Sequence, residues 1–298
     1  MDDLVLVAIA GFVASLVDGA LGMGFGPTSS TILLSAGISP AAASTTVNLA
    51  KVATGLVAGA SHWRFGNIDR PLVLRLAIPG AIGALLGTLV LVFVDGDDLR
   101  PMLAVVLLLV GLRILLRFSR PLPLRPDTDS GTAEGELPPF DARGVEVAAT
   151  AGGITNGLVG AWGPVVTPFL LHRGLQPRFA VGSVNTAEVA VALVASVSLI
   201  TSTGREGLEA GVVIAMLVGG MLAAPLAAYV VRFVPARSLG LAVAGLLLLT
   251  QTRELAGLLD LGRSRWIAYG VVGLSLVAAA LRPRLESARQ VRRAVSPP

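Results

Sequence analysis

This sequence predicts an all-α polytopic membrane protein: two inverted repeats, each a broken re-entrant helix hairpin plus three transmembrane helices, and one extra C-terminal helix. The first observation behind this reading is composition. Mean hydropathy is +0.78, with 54% of residues hydrophobic and 14% charged, against about a quarter charged in soluble domains. The second is segment length. About seven apolar runs reach the roughly 17 to 25 residues that a helix needs to cross the hydrocarbon core, with two shorter pieces among them, and none shows the alternation of a membrane β-strand. The third is an internal repeat: a shift of 137 positions superimposes 17 identical residues over the 41 from Leu21 to Ser61, without a gap. Gly26 matches Gly163, Pro27 matches Pro164, Pro40 matches Pro177 and Asn48 matches Asn185. These are rarer or punctuating residues, which abundant Ala, Val and Leu do not explain.

In order, the first copy reads as Leu4 to Leu21, a short Pro27 to Ala36, Ala42 to Ser61, Leu72 to Val94 and Leu99 to Phe118, within a first repeat of residues 1–118. The polar, proline-rich stretch from Ser119 to Asp141 is a linker, residues 119–141. The second repeat, residues 142–252, gives Val145 to Gly160, a short Pro164 to Arg173, Ala180 to Ile200, Ala210 to Val231 and Leu239 to Thr250. Residues 253–298 add a helix from Trp266 to Leu281 and a tail with five arginines against one glutamate. The opening MDDLVLVAIA has acidic residues where a signal peptide has basic ones, so Leu4 onward reads as mature structure. Cysteine is absent, which excludes disulfides and thiolate metal sites. No cofactor, metal or nucleic acid is expected.

Arginine distribution sets the topology. The basic tail belongs in the cytoplasm, which puts Arg232 and Arg237 inside, Arg205, Glu206 and Glu209 outside, and His172, Arg173 and Arg178 inside. In the first copy Arg64, Arg70 and Arg75 belong inside, Asp95, Asp97 and Asp98 outside, and Arg113, Arg117, Arg120 and Arg125 inside. The halves are compatible if each broken segment dips in and returns to its own side. The N-terminus is then outside, the C-terminus and linker are cytoplasmic, and the repeats are inverted in an inner (plasma) membrane. Two ordinary kinked spans in a parallel duplication are the alternative.

Each copy breaks at a glycine-rich stretch: GALGMGFGPTSS from Gly19 to Ser30, and NGLVGAWGPVVT from Asn156 to Thr167. A break leaves backbone N–H groups unpaired where no water reaches them. Pro27 suits the first position of a short helix, since it has no N–H to orphan, and Thr28, Ser29 and Ser30 follow with hydroxyls. Glycines, Gly24 and Gly26 above all, let a backbone approach closely, so that helix N-termini converge on a small anion. The second copy supplies Gly160, Gly163, Pro164 and Thr167. The plainer reading makes the glycines packing contacts; Gly55 and Gly59 are assigned that role.

At these residues the chain resembles the TauE/SafE sulfite exporters, the toluene sulfonate uptake permease group, from Val5 to about Leu249. GALGMGFGP, GISPAAASTTVNLA, the connector HWRFGNID and the paired second copy carry the resemblance. It implies secondary transport of small sulfur-containing anions such as sulfite or an organosulfonate. Met23, Phe25 and Trp162 depart from the family's dense glycine clusters, and a ring beside the tip is expected to reshape the pocket.

Inside the membrane, Ser44, Asn48, Lys51 and Gly55 share one helical face, as do Val181, Asn185, Glu188 and Ala192. A charge at mid-helix costs about 2.5 to 3.5 kcal/mol on insertion scales, so Lys51 and Glu188 each need a partner or a wet cavity. They lock the repeats together as a plain ion pair, or serve anion attraction or proton coupling. Asp18, four residues before Gly22, is a candidate proton carrier or cap. The expected substrate-binding set is Gly24, Gly26, Thr28, Ser29, Asn48, Lys51, Gly163, Thr167 and Asn185, with Asp18, Lys51 and Glu188 as coupling or ion-pair residues. His62 and His172 read as interfacial. The expected partners are a small anion, membrane lipid and protons. A passive anion channel is a competing class. An intramembrane lipid-phosphate enzyme is another, but Thr28, Ser29 and Ser30 have no arginine or histidine beside them to act as base or ligand.

Overall fold

A computed structural model of the chain describes residues 2–21, 24–94, 96–119, 140–204, 210–230 and 236–295. Gly22 and Met23, Asp95, linker residues 120–139, the charged groups of 205–209, Arg232 and the chain end at 296–298 lie outside the described residues. The helices are α1 Asp2–Leu21, α2 Phe25–Ser35, α3 Pro40–Arg64, α4 Arg70–Phe93, α5 Gly96–Ser119, α6 Val145–Val159, α7 Gly163–His172, α8 Pro177–Thr203, α9 Ala210–Val230, α10 Ala236–Leu258 and α11 Arg265–Val295. Among the described residues, five stretches are long and apolar enough to cross a membrane: Arg70–Phe93, Asp98–Ser119, Arg178–Thr203, Gly240–Leu258 and Gly262–Arg282.

Local chemistry sets the helix starts. Ser39 caps α3 by accepting the Ala42 N–H at 3.4 Å, and Asp69 caps α4 by accepting the Leu72 N–H at 3.1 Å. The connector HWRFGNID is therefore structural: Gly66 turns the chain with φ 66°, Asn67 packs against Gly182 of α8, and Asp69 is the cap. Three boundaries differ from expectation, the largest at α11, which continues past Leu281 to Val295 through the stretch expected as a tail. Helix α2 starts at Phe25, so Pro27 occupies its third position, still within the first turn where a missing N–H orphans nothing. Helix α10 continues past Thr250 to Leu258 through polar residues, because helical bonding continues at a membrane edge after hydrophobicity ends.

Much of the packing repeats under exchange of the halves, although α4 packs closely on α8 and α9 barely meets α3. α4 packs on α6 as α1 packs on α9, while α3 meets its counterpart α8 and α5 meets its counterpart α10. Contact positions give the directions. Gly83 meets Thr150 and Gly87 meets Ile154, so α4 and α6 run parallel. Gly80 meets Val191 and Thr88 hydrogen-bonds Ser198 at 2.8 Å, so α4 and α8 also run parallel. Leu4 meets Gly211 and Ser15 meets Gly220, making α1 parallel to α9. α3 and α8 are antiparallel: Lys51 meets Glu188, Gly59 meets Thr186, and Asn67 beyond α3 meets Gly182. Hence α6 and α8 share a direction, and α7 between them covers the return. Its 10 residues span about 15 Å at 1.5 Å per residue.

Small residues make these crossings close. On α4, Gly83 and Gly87 admit the α6 backbone and Gly80 admits the Trp162 ring and Val191, while Leu74, Ile78, Ile82 and Leu85 form an exposed apolar stripe at helical spacing. One core lies between α4, α6, α7 and α8, centred on Leu76 and Trp162. A second joins α1, α2, α3 and α9, and a third joins α5 and α10 to the ends of α6 and α8.

Candidate functional site

The two broken tips meet. A side chain built on Gly26 would enter the Gly160 carbonyl, and one built on Gly160 would press on Val47 and Gly26. Gly160 also has φ 69°, the left-handed conformation that glycine tolerates. The close approach at Gly26 thus serves the opposite tip, where the sequence reading assigns it to a ligand. Around this contact lies a cavity of about 30 Å³, walled by Gly24 to Pro27 of the first tip, Gly160, Gly163 and Pro164 of the second, and the side chains of Asp18, Lys51, Asn185 and Glu188. That volume is room for roughly two water molecules, so a larger ligand needs the tips to part.

Lys51 is the hub. Its ammonium donates to Glu188 Oε1 at 2.5 Å, Gly160 O at 2.6 Å and Asn156 Oδ1 at 3.0 Å, which uses all three of its protons. The lysine is 6% exposed and the glutamate 17%, so each charge is largely desolvated and held by the other. Lys51 also belongs to a row. Helix α6 ends with carbonyls that have no intrahelical partner, apart from Asn156 O, which accepts the Gly160 N–H at 2.8 Å, and side chains of the first repeat close on this end. Ser44 Oγ donates to Gly157 O at 2.6 Å, Ser30 Oγ to Val159 O at 2.9 Å, and Asn48 Nδ2 approaches Asn156 O at 3.4 Å. Asn156 in turn donates to Asn48 Oδ1 at 2.7 Å. A cation at a helix C-terminus also complements the helix dipole.

The first break is satisfied from the opposite sign. Asp18 Oδ1 accepts the Phe25 N–H at 3.2 Å, so a carboxylate caps the N-terminus of α2 across the break. Its repeat counterpart, Thr155, instead donates to Ala161 O at 3.0 Å and to carbonyls of its own helix.

Of the residues expected at the site, Gly24, Gly26, Lys51, Gly163 and Asn185 line the cavity together with Asp18 and Glu188. Thr28, Ser29, Asn48 and Thr167 do not. Asn48 is fully buried and engaged with Ser44 and Asn156. Thr28, Ser29 and Thr167 are also buried, with no hydrogen-bond partner for their hydroxyls. Thr28 lies one turn past Gly24 on the same face of α2, beyond the cavity, and helical rotation carries Ser29 off the wall. The Trp162 ring does not reshape the cavity: it is fully buried against Gly80 and Gly152, and its Nε1 donates to Val184 O at 3.1 Å. Phe25 does line the cavity. Asn156 escapes a search for residues shared by the copies, because its counterpart is Gly19. Its position as an intramembrane amide just before a break is the signal that marks it.

This arrangement of two tips over a shared charged cavity is accompanied by a family match. The model of the sulfite exporter TauE/SafE family matches residues 7–253. The chain belongs to the TauE/SafE family. It is also 38% identical over 273 residues to the probable membrane transporter protein YtnM of Bacillus subtilis (strain 168), covering 91% of this chain and 87% of the relative. No solved structure matches the chain. As a TauE/SafE member it is a multi-pass membrane transporter and not an enzyme, and its apolar helices are the membrane spans such a transporter requires.

Proposed function

We propose that this transporter exports sulfite or an organosulfonate across the inner membrane by alternating access, holding the anion between the two broken tips. The observation that carries the reading is the single small cavity walled by both tips and by Asp18, Lys51, Asn185 and Glu188. Two helix N-termini aimed at one point suit an oxyanion, and Lys51 supplies the cation. With Asp18 and Glu188 ionised, one ammonium faces two carboxylates, which repel an entering anion. A proton carried with the anion removes that repulsion, and Asp18, on the wall and on the cap, is the residue assigned to carry it.

The helix directions support an inverted repeat with re-entrant breaks: α3 opposes its counterpart α8, while α6 and α8 share a direction that α7 must reverse. The arginine pattern orients this unit with the N-terminus outside and the linker and C-terminus in the cytoplasm. Single cysteines in place of Asp2, Ser130 and Ser296, in a chain with no native cysteine, read the topology with an impermeant thiol reagent. Labelling at Ser130→Cys from outside refutes the orientation.

The deciding experiment is counterflow in proteoliposomes with sulfite, thiosulfate and small sulfonates. Exchange of labelled for unlabelled anion is expected. Flux without counterflow makes the protein a channel, and no flux of any of these anions overturns the substrate reading. The pH profile of transport in Asp18→Asn tests the proton, and a profile unchanged from the parent removes Asp18 from the mechanism.

A further inference from the structure

A second cavity, of about 510 Å³, opens at the far end of α2. Its wall includes Ser35 and Ser39 from the α2–α3 turn, Arg100 of α5, and Gln251, Arg253 and Glu254 of α10. Two guanidinium groups against one carboxylate give it a net positive charge. Neither Arg100 nor Arg253 has an ion pair or side-chain hydrogen bond among the described residues. Gln251, 6% exposed, adds an amide.

Helix α2 runs from one cavity to the other. Gly24, Thr28, Thr31 and Ser35 follow a spacing of four, three and four, which puts them on one face. Gly24 lines the inner cavity and Ser35 the outer one. Between them, Thr28 and Thr31 are 0% and 1% exposed, and neither hydroxyl has a partner. A buried hydroxyl without a partner is costly, and two in succession on one line joining two polar cavities call for an occupant that comes and goes.

We propose that the outer cavity is an anion vestibule, with Arg100 and Arg253 gathering small oxyanions, and that the Gly24–Thr28–Thr31–Ser35 face of α2 is the track between it and the inner cavity. This rests on the transport reading above and assigns that reading its route on one side of the tips. Copy two has no such line, since the corresponding positions are Ala161, Val165, Pro168 and His172. The track therefore belongs to α2 alone, and passage on the other side of the tips uses different groups.

Cysteine accessibility tests the route without knowledge of the substrate. Ser35→Cys, Thr31→Cys, Thr28→Cys and a control, Leu33→Cys, would be reacted in proteoliposomes with methanethiosulfonate reagents bearing an ethylsulfonate or a trimethylammonium group. Leu33 is 1% exposed and packs in the core on the other side of α2. Ser35→Cys should favour the anionic reagent about tenfold, a preference that Arg100→Gln with Arg253→Gln abolishes. Thr31→Cys and Thr28→Cys should react more slowly, and Leu33→Cys not at all. If Thr31→Cys and Thr28→Cys are as inert as Leu33→Cys, or Ser35→Cys shows no charge preference, the proposal fails. Should the cysteine variants not fold, Thr28→Val and Thr31→Val carry the test: each should raise the melting temperature by removing an unpaired hydroxyl, yet slow counterflow about tenfold. Unchanged flux in both overturns the track. A labelled track in a protein that moves no sulfur anion refutes the substrate instead, so the two failures are distinct.

Discussion

The two breaks are copies of one sequence device, yet they are held in opposite ways. At the second, four side chains of the first repeat, Ser30, Ser44, Asn48 and Lys51, close on the carbonyls that end α6. Their counterparts under the repeat are Thr167, Val181, Asn185 and Glu188, which have no matching role. Thr167 has an unpaired hydroxyl, Val181 is apolar, Asn185 lines the cavity, and Glu188 can only accept. The first break is instead capped by the carboxylate of Asp18. Divergence between the copies has thus made one break a fixed, donor-saturated joint, while of the counterpart groups Glu188 only pairs with Lys51 and Thr167 and Asn185 are left uncommitted. For a protein that must grip and release a ligand, the unspent groups are where change is cheapest.

The comparison breaks most sharply at Lys51. Lys51→Met removes the hub and strands Glu188, Gly160 O and Asn156 together, and should cost about 3 to 5 kcal/mol, the range for unpairing a buried charge. Glu188→Gln should cost less, since the lysine keeps its two bonds to α6. The double variant should recover part of the loss. Thermal melts of all four proteins in detergent measure the coupling, and strictly additive losses would show that the pair does not form. Substrate affinity in the same cycle separates the roles, because loss of affinity with Lys51→Met, restored by no change at Glu188, marks the lysine as an anion contact.

Next in size is Gly26→Ala. Its new Cβ has no space beside Gly160, and overpacking of this kind costs about 1 to 3 kcal/mol. The same change at Gly174, where nothing lies within 4 Å, carries only the strain of φ 92° and should leave transport intact. A Gly26→Ala protein as stable as the parent would show that the tips do not touch.

A smaller contrast tests committed against uncommitted hydroxyls directly. Ser44→Ala leaves Gly157 O buried without its donor and should destabilise by about 1 to 2 kcal/mol. Thr167→Val, at a hydroxyl with no partner, should be neutral or stabilising. Equal losses in the two melts would erase the distinction between the breaks.

The smallest effect is a reference far from both breaks. The backbone N–H of Arg143, 3.0 Å from Asp141 Oδ1, and the Arg173 guanidinium hold the Asp141 carboxyl below the usual carboxylate range. A depressed carboxylate stabilises above its unfolded pKa and loses that contribution as pH falls through its folded value. Asp141→Asn should therefore lower stability slightly at neutral pH and match the parent in acid, a difference that thermal melts across pH read and that stays small because the pair is exposed.

Much of the fold was legible because hydrophobic length, proline and repeated punctuation are local signals: the expected helices recur within a few residues except at the C-terminal ends of α10 and α11, where polar residues continue a helix. The face Ser44–Asn48–Lys51–Gly55 was readable from spacing, and it is the face that meets α6 and α8. Which partner each residue takes was not. Asn156 and the α6 carbonyls as targets, the Trp162 ring turned into the core, and the Thr167 hydroxyl kept off the cavity all depend on how helices from different repeats rotate against one another.

By itself, then, the sequence determined the solvent, the two-copy plan, the places where helices must break and the charges that need partners, since each follows from the cost of exposing polar groups to hydrocarbon. Only the tertiary structure decided that the breaks touch and that Lys51 completes α6 as well as pairing with Glu188. Those outcomes rest on contacts between residues more than a hundred positions apart, and hydrogen bonds in a water-free interior form only where packing brings donor and acceptor within about 3 Å.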